Sequence, residues 1–314
     1  MSIESRTIDV AIVGGGLHGS LVALALARWR PEARVLLIEA CDRFGGGPIA
    51  PFRLRDVGTA MSLVIEPLIV GEWPRYYVEL GDETHSVADA LGLIDPAQLH
   101  AEVCAHLGSA RCWRNVSAFP RGDQIIATPR GEIRAGLVLD LRPPPPTAGP
   151  AILATMIDYR SPDPLGLRYP ILLDSVLAGR TGAAVWQYFP IGRHGVMARA
   201  LRFDATPLTL PVRFAVTTLR APREIALSFA ADPRWSSLPP HPLLPSAMGS
   251  AAALAQAVIA LPEWTPTAYA AARTRAAAKI APAVAARAAL FATLRDEPDR
   301  RCTVLAEMAM DMTV

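Results

Sequence analysis

The sequence lacks the signals of several classes of protein. Its four cysteines form no CxxC pair and have no histidines at metal-ligand spacing, which excludes the usual zinc and redox motifs. The 31 Lys and Arg residues nearly balance the 29 Asp and Glu residues, and the charges are scattered along the chain. A nucleic-acid-binding protein would show a basic cluster instead. We therefore expect isolated, buried thiols and neither a metal site nor a nucleic-acid partner.

A secretory signal and a membrane-spanning run are also missing. The start, "MSIESRTIDV", has no basic region followed by an apolar stretch, and no window reaches about 18 consecutive apolar residues. These absences predict a cytoplasmic protein. Hydrophobic residues nevertheless make up 51% of the chain, and the mean hydropathy is +0.26. That composition favours an apolar ligand and peripheral contact with the inner face of the cell membrane.

The chain opens with a glycine-rich unit of strand, turn and helix. The apolar run "IDVAIVG" predicts a buried strand, "SLVALALARW" a helix, and "ARVLLIEA" a second strand. Gly14, Gly16 and Gly19 between them satisfy the pattern G-x-G-x-x-G. The first glycine permits the tight turn, the second lets the backbone approach a pyrophosphate, and the third permits close packing of helix and strand.

An acidic residue follows at the spacing that a dinucleotide site requires. Glu39 ends the second strand about 20 residues after the last glycine, where a carboxylate accepts hydrogen bonds from the ribose hydroxyls. The segment "CDRFGGG", which contains Gly45, comes directly afterwards. A glycine cluster in this place is typical of flavoproteins, so FAD is favoured over NAD. His18 lies within the loop, but we assign it no catalytic role.

The remaining patterns predict an α/β protein with two domains. A Rossmann-like FAD-binding domain with a parallel sheet is joined to an antiparallel-sheet substrate domain and C-terminal helices. The proline-rich segment "RPPPPTAGP", residues 142–150, marks a crossover between the domains. The predicted boundaries are 1–60 with 85–150 and 236–262 for the FAD domain, 61–84 with 151–235 for the substrate domain, and 263–314 for the helical segment.

Two further segments resemble the bacterial lycopene β-cyclases. They are "IEPLIVGEWPRYYVEL", residues 65–80, and "RYPILLDSVL", residues 168–177. A third segment, beginning at His241, is similar to the flavin-binding His-Pro segment of that family, although Pro245 stands where a glycine is expected. The resemblance covers roughly residues 8 to 310 and identifies the chain as a diverged, shortened member.

The resemblance implies an activity and its cofactor. Lycopene β-cyclases are isomerases, of the intramolecular lyase type, that close the ends of lycopene into the rings of β-carotene. A proton adds to the terminal double bond, the polyene attacks the resulting carbocation, and a ring proton is lost without net redox change. The family implies FAD, with NAD(P)H as a candidate reductant, and a glutamic acid donor in a dry site that raises its pKa.

The expected acid is absent from its position. When the segment "VWQYFPIGRHGVMARALRF" is anchored at Pro190, the place of the family's glutamate is taken by Arg199. Arginine stays protonated, so it cannot donate the proton, and its charge opposes a carbocation. The segment "DLRPPPP" also replaces the family's Asp-Gly-Arg-Gly turn and leaves Asp140 and Arg142, of which Asp140 is the predicted cofactor-binding residue.

Other carboxyl groups are candidates for the missing acid. They are Asp158, Asp174 and Asp204, and Asp174 is favoured because it ends the strand "PILLD" nearest the expected pocket. Three functions therefore stay open. The chain is a carotenoid cyclase, a diverged flavoprotein that oxidises an apolar substrate, or a non-catalytic relative that binds the cofactor or a carotenoid.

Overall fold

The structure is a computed structural model with two compact units. The first unit comprises Met1–Ile69, Leu93–Pro145 and Ala231–Ala281, and the second comprises Val70–Gly92, Pro146–Ala230 and Pro282–Val314. The structure describes residues 8–45, 50–80, 83–142, 152–162, 166–174, 184–192, 195–202, 217–218, 223–227 and 247–275.

Strands outnumber helices in the described part of the chain. In chain order the elements are β1 (Ile8–Val13), α1 (Leu17–Trp29), β2 (Val35–Ile38), β3 (Ala50–Arg53), α2 (Thr59–Ile65), β4 (Ile69–Trp73), β5 (Tyr76–Leu80), β6 (Glu83–Val87), β7 (Leu91–Ile94), α3 (Pro96–Leu107), β8 (Cys112–Trp113), β9 (Phe119–Pro120), β10 (Ile125–Thr128), β11 (Gly131–Asp140), β12 (Ile152–Pro162), β13 (Ile171–Asp174), β14 (Ala184–Ile191), β15 (Gly195–Arg202), β16 (Thr217–Thr218), β17 (Arg223–Leu227) and α4 (Ala247–Ile259).

The first unit is built on a mixed six-stranded sheet. Its strand order is β8-β2-β1-β11-β10-β9, with β8, β2, β1 and β11 parallel and the last two strands antiparallel. Val13, the last residue of β1, pairs with Ile38 on one side and with Asp140 on the other. The carboxyl ends of three parallel strands therefore meet at one edge, where α/β sheets bind their ligands.

The helices of the first unit form one core with that sheet. Nearly the whole circumference of α1 is buried between Gly19 and Leu26, because its residues are small or aliphatic. Arg30, after the end of α1, donates to the carbonyls of Ile259 and Leu261 at 3.1 and 3.2 Å. Its guanidinium also lies 4.4 Å from the centre of the Trp264 ring. Arg30 thus satisfies main-chain acceptors at the end of α4.

The second unit contains an antiparallel sheet with one parallel pair. Its order is β16-β12-β15-β14-β13-β5-β6, and β17 also pairs with β12. Strands β14 and β15 form a hairpin in which Tyr188 lies opposite Ala198 and Gln187 lies opposite Arg199. Since neighbouring residues of a strand point to opposite faces, these two pairs lie on different faces of the sheet.

The predicted fold class is confirmed by this arrangement. The meander β9-β10-β11 turns at Gly122 and at Gly131, which are both at positive φ. The expectation of buried thiols is wrong for three cysteines, because Cys41 is exposed and Cys104 and Cys112 are only half-buried.

Several predicted segments lie outside the described residues. They are the proline-rich crossover, the His241 segment, Asp204, and the helix beyond residue 275. Among the helices that the structure describes, none combines the length and apolar character needed to span a bilayer.

Candidate functional site

The glycine loop leaves one position open. A Cβ on Gly14 would come within 2.8 Å of the main-chain nitrogen of Arg142, and a Cβ on Gly19 would overlap the Gly14 carbonyl oxygen. A Cβ on Gly16, in contrast, would meet no atom within 4 Å. Gly16 is the N-cap of α1, so the open space faces the positive end of a helix dipole. That combination suits a phosphate group.

Glu39 lies against this loop and is held by the backbone. Its Oε2 accepts a hydrogen bond from the Gly15 N–H at 2.6 Å, and its Oε1 accepts one from the Cys41 N–H at 2.9 Å. These two contacts fix the carboxylate beside the turn. Each carboxylate oxygen has a second lone pair, so the group can still accept hydrogen bonds from a pair of hydroxyls.

The segment after Glu39 is tied to the same turn. The N–H of Gly45 donates to the Gly15 carbonyl at 2.6 Å, and Gly45 has a φ of +70°. The buried ring of Phe44 lies so close to Gly15 that a Cβ on that glycine would come within 2.5 Å of it. Ser20 supports the turn from the helix by donating its hydroxyl to the Gly15 carbonyl at 2.8 Å.

His100 on α3 holds Phe44 in place. The Phe44 N–H donates to His100 Nδ1 at 3.1 Å, and the two rings stack with their centres 5.7 Å apart. Burial lowers the pKa of His100, and the charges of Arg114 and Arg43 lower it further, while Asp42 acts in the opposite direction. His100 is therefore favoured in the neutral form that accepts the Phe44 hydrogen bond.

The pKa of His100, which burial lowers in the folded chain, predicts a loss of stability in acid. As the pH falls below about 6.5, the unfolded chain takes up a proton on His100 that the folded chain resists, so the free energy of unfolding decreases. Urea unfolding between pH 8 and pH 5 should show this decrease, and it should be smaller in a His100→Gln variant. An equal slope in both proteins would contradict the assignment. His106→Gln, at an exposed site on the same helix, is the matched control.

Asp140 stands at the end of β11, next to the loop. Arg142 forms a bidentate ion pair with the Asp140 carboxylate, in which Nε lies 2.8 Å from Oδ1 and Nη2 lies 2.7 Å from Oδ2. The pair raises the pKa of Arg142. Arg142 also donates to the Ala118 carbonyl at 3.1 Å, which joins this turn to the neighbouring segment. Asp140 thus lies at the edge where a dinucleotide is expected, and the Arg142 guanidinium balances its negative charge.

Asp174 lies in the second unit and is paired with another acid. Asp174 is 7% exposed. Trp186 on the adjacent strand β14 lies opposite it on one side, and Glu79 on the adjacent strand β5 lies opposite it on the other. Burial raises the pKa of Glu79, and the charge of Asp174 raises it further. Because Asp174 is buried and Glu79 half-buried, these two neighbouring carboxyl groups favour the retention of a proton. The Trp186 and Tyr188 rings stack beside them with centres 6.2 Å apart.

Arg199 is fully buried in the middle of β15. Its cross-strand neighbours are Gln187 on β14 and Asp158 on β12. Asp174 lies opposite Trp186, which packs with the Ala198 side of the sheet. Asp174 and Arg199 therefore occupy opposite faces. The structure does not bring the favoured acid to the position where the family's glutamate is expected.

The predicted site residues thus form two groups. Those in the first unit are Gly14, Gly16, Gly19, Glu39, Gly45 and Asp140, which gather at one edge of the parallel sheet. Asp174 and Arg199 belong to the second unit. His18 lies 3.0 Å from the Ser250 hydroxyl on α4, which gives it a contact between helices.

Sequence reasoning missed Phe44, His100 and Glu79. The aromatic residue just before the glycine cluster was a signal for Phe44. The alternation of "YYVEL" was a signal that Glu79 shares a face with Tyr77. The residues next to His100 in the sequence do not indicate its role, because its hydrogen-bond partner Phe44 is 56 positions away in the chain.

Comparison with known proteins matches this chain to a protein family and to curated enzymes. Residues 9–157 match the family described as lycopene cyclase protein. The lycopene β-cyclase of Pseudescherichia vulneris is 28% identical over 63% of this chain and 52% of its own length. That of Pantoea ananas is 27% identical over 55% of this chain and 46% of its own length. The chain thus spans about half the length of the curated relatives it matches.

Solved structures of low sequence identity share the fold. PqsL, described as a probable FAD-dependent monooxygenase from Pseudomonas aeruginosa, has a TM-score of 0.67 at 15% identity, over 95% of this chain and 99% of that protein. A flavin-dependent halogenase from Xanthomonas campestris has a TM-score of 0.64 at 11% identity, over 88% of this chain and 76% of that protein. The resemblance seen in the sequence is confirmed: the chain is similar to the lycopene β-cyclases over residues 9–157, and it shares its fold with these FAD-dependent enzymes.

Proposed function

We propose that this chain is a lycopene-cyclase-like flavoprotein. Its first unit binds FAD, and the chain closes the ends of an acyclic carotenoid, lycopene, into the rings of β-carotene by acid-initiated cyclisation. The observation that carries the proposal is the open space above Gly16, within the segment that matches the lycopene cyclase family. The carotenoid is a hydrocarbon that dissolves in membranes, so peripheral contact with the inner face of the cell membrane is part of the proposal.

The residues of the first unit fit FAD. The backbone around Gly16 would receive the pyrophosphate, and Glu39 would accept the ribose hydroxyls. Gly14, Gly19 and Gly45 would hold the turn in shape, because the first two pack against main-chain atoms at the turn and the Gly45 N–H donates to the Gly15 carbonyl. Reduced flavin would supply negative charge that stabilises a carbocation.

The second unit offers a proton donor in the pair of Asp174 and Glu79. In the proposed reaction, a proton shared by the two carboxyl groups adds to the terminal double bond of the polyene. The resulting cation is attacked by the neighbouring double bond, and the pair takes back a ring proton. The stacked rings of Trp186 and Tyr188 lie on the same side of the sheet as Asp174, where their π-electrons would favour positive charge nearby.

An Asp174→Asn variant tests this donor. Expressed in cells that accumulate red lycopene, the parent chain should give yellow-orange β-carotene. The variant should give at least about 100-fold less, because general acid catalysis contributes that much. Flavin absorbance of the purified variant should be unchanged. Asp123→Asn, in an exposed turn of the first unit, is the control and should keep full activity.

A second candidate is a re-purposed or non-catalytic FAD-binding relative, such as an oxidoreductase for an apolar substrate. The buried cation of Arg199 favours it, because a fixed positive charge opposes a carbocation in a medium of low dielectric. The same experiment separates the two functions. A flavin-loaded parent chain that leaves lycopene red would reject cyclisation. Flavin reoxidation that depends on an added apolar substrate would then favour the oxidoreductase.

A further inference from the structure

Two cysteines that form no sequence motif come together in the first unit. Cys104 lies in the last turn of α3, and Cys112 opens β8, eight positions further along the chain. The Gly108 N–H donates to the Cys104 carbonyl at 3.1 Å, and the Cys112 thiol donates to the Gly108 carbonyl at 2.8 Å. Both cysteines are therefore bonded to one residue, and both pack against the same hydrophobic core.

The segment between the two cysteines is held in a tight turn. Gly108 has a φ of +67°, and its carbonyl accepts a hydrogen bond from the Arg111 N–H at 3.2 Å. The Arg111 side chain donates from Nε to the Leu107 carbonyl and from Nη2 to the His106 carbonyl, both at 3.0 Å. These bonds hold the end of α3 beside β8, so the folded backbone keeps the two cysteines as neighbours.

The two thiols interact with each other. Burial raises the pKa of the Cys112 thiol, and the charge of Cys104 and a hydrogen bond between the two side chains raise it further. The guanidinium groups of Arg114 and Arg111 act in the opposite direction. Cys112 is therefore favoured in the protonated thiol form.

His100 acts on the sulfur of Cys104. It lies one turn earlier on α3, with its Nε2 3.7 Å from the Cys104 Sγ. Because Nδ1 accepts the hydrogen bond from the Phe44 N–H, the proton of the neutral ring lies on Nε2. A donor in this position stabilises the negative charge of a sulfur that attacks an electrophile. Cys104 is thus suited to attack first, and Cys112 to react second.

Small solutes can reach the pair. Cys104 and Cys112 are both half-buried. A concave site of about 600 Å³ lies beside them, and Cys112 and His100 form part of its wall. Access of this kind is what oxidation of a cysteine requires in addition to a nucleophilic sulfur.

We propose that Cys104 and Cys112 form a redox site that hydrogen peroxide converts into a disulfide. The Cys104 sulfur attacks one peroxide oxygen and the O–O bond breaks. Cys104 becomes a sulfenic acid, and its proton leaves with the other oxygen as water. The Cys112 sulfur then attacks the Cys104 sulfur, the S–S bond forms, and the hydroxyl group leaves with the Cys112 proton as a second water. The peroxide takes up the two electrons that the thiols lose.

The inference goes beyond the proposed function and does not depend on it. The site would act in the same way in a cyclase, in an oxidoreductase or in a non-catalytic relative. In proteins of reducing compartments, a disulfide of this kind is transient and senses oxidants.

Peptide mapping of the full chain after peroxide treatment tests the proposal. Remaining thiols are blocked with N-ethylmaleimide, and the chain is digested with trypsin without reduction. Trypsin cuts after Arg111, between the two cysteines, so the disulfide would join peptides 76–111 and 112–114. This linked pair should be the main oxidation product, with Cys41 and Cys302 blocked by the reagent. Chain unfolded in urea should form it at least about tenfold more slowly, because only the fold holds the thiols together.

Single variants separate the roles of the two cysteines. In Cys112→Ser, peroxide should leave a sulfenic acid on Cys104 that dimedone traps. In Cys104→Ser, trapping at Cys112 should be at least about tenfold lower, because that sulfur lacks the His100 donor. Cys41→Ser, at the exposed cysteine of the same unit, is the matched control and should still form the disulfide. Cys104→Ala replaces Cys104→Ser if circular dichroism shows that the serine variant is unfolded.

Three results would overturn the redox site. They are the absence of the linked peptides at peroxide concentrations that oxidise Cys41, a disulfide from either cysteine to Cys41 or Cys302 as the main product, and equal rates in folded and unfolded chain. Equal trapping by dimedone at Cys104 and Cys112 would reject the assignment of Cys104 as the attacking sulfur.

Discussion

A Gly16→Val variant should fold like the parent chain and fail to retain FAD. The valine side chain would enter the open space above the loop, where the pyrophosphate is proposed to lie. We expect FAD affinity to fall at least about 100-fold, because the phosphates could no longer approach the N–H groups of α1. The measurement is flavin fluorescence of the purified protein after dialysis against FAD.

Folding of this variant separates loss of the cofactor from loss of structure. Gly16 has a φ of −65°, which valine can adopt, and the helix-capping penalty is about 1 kcal/mol or less. Its thermal unfolding without FAD should therefore match that of the apo parent closely. Gly19→Val is the contrasting variant, because a Cβ there overlaps the Gly14 carbonyl oxygen and should destabilise the whole unit. Normal flavin retention by Gly16→Val would reject the proposed cradle.

An Arg199→Glu variant should gain carotenoid cyclase activity. The change removes a buried cation and places a carboxyl group where the resemblance expects the proton donor. Burial raises the pKa of a carboxyl group, so the new side chain should hold a proton at neutral pH. In a chain whose proposed donor has been removed by Asp174→Asn, we expect the added glutamate to increase β-carotene formed per flavin-loaded chain at least about 100-fold, the usual contribution of a general acid.

The matched control for this variant is Arg199→Gln. Glutamine also removes the cation and can bond to Gln187 or neighbouring groups, but it has no proton to donate. An increase in both variants would assign the effect to the lost charge, whereas an increase in the glutamate variant alone supports the donor. A folded, flavin-loaded Arg199→Glu chain with unchanged turnover would contradict the placement of the family's acid at this position. Circular dichroism and flavin absorbance verify the folded state.

Local patterns in the sequence predicted the parallel part of the sheet. The strand β1, the loop from Gly14 to Gly19, the helix α1 and the strand β2 follow from apolar runs and glycine spacing within about 30 residues. The start of α3 is also determined by neighbouring residues, because Asp95 caps the helix by accepting a hydrogen bond from the Ala97 N–H at 2.8 Å. Such features depend on neighbours in the chain, so the sequence alone indicates them.

Features that depend on distant pairing were not predictable. The charges looked scattered along the chain, yet folding gathers Arg43, Arg114 and Arg130 around one concave site. The opposite faces of Asp174 and Arg199 depend on how β13 pairs with β14, and the register of that pair shifts between Ile171 and Asp174. No sequence period reports such a shift, because it arises from contact between strands.

The hairpin of β14 and β15 has a consequence for how this protein could diversify. The side of the sheet on which a residue of β15 emerges depends on the length of the turn, since a slip by one position exchanges the two sides. Loss of a single residue between the strands would bring the methyl groups of Ala198 and Ala200 to the side of the sheet where the buried guanidinium of Arg199 now lies. Insertions and deletions in one short turn are therefore a route to new chemistry that leaves every side chain of the strand intact.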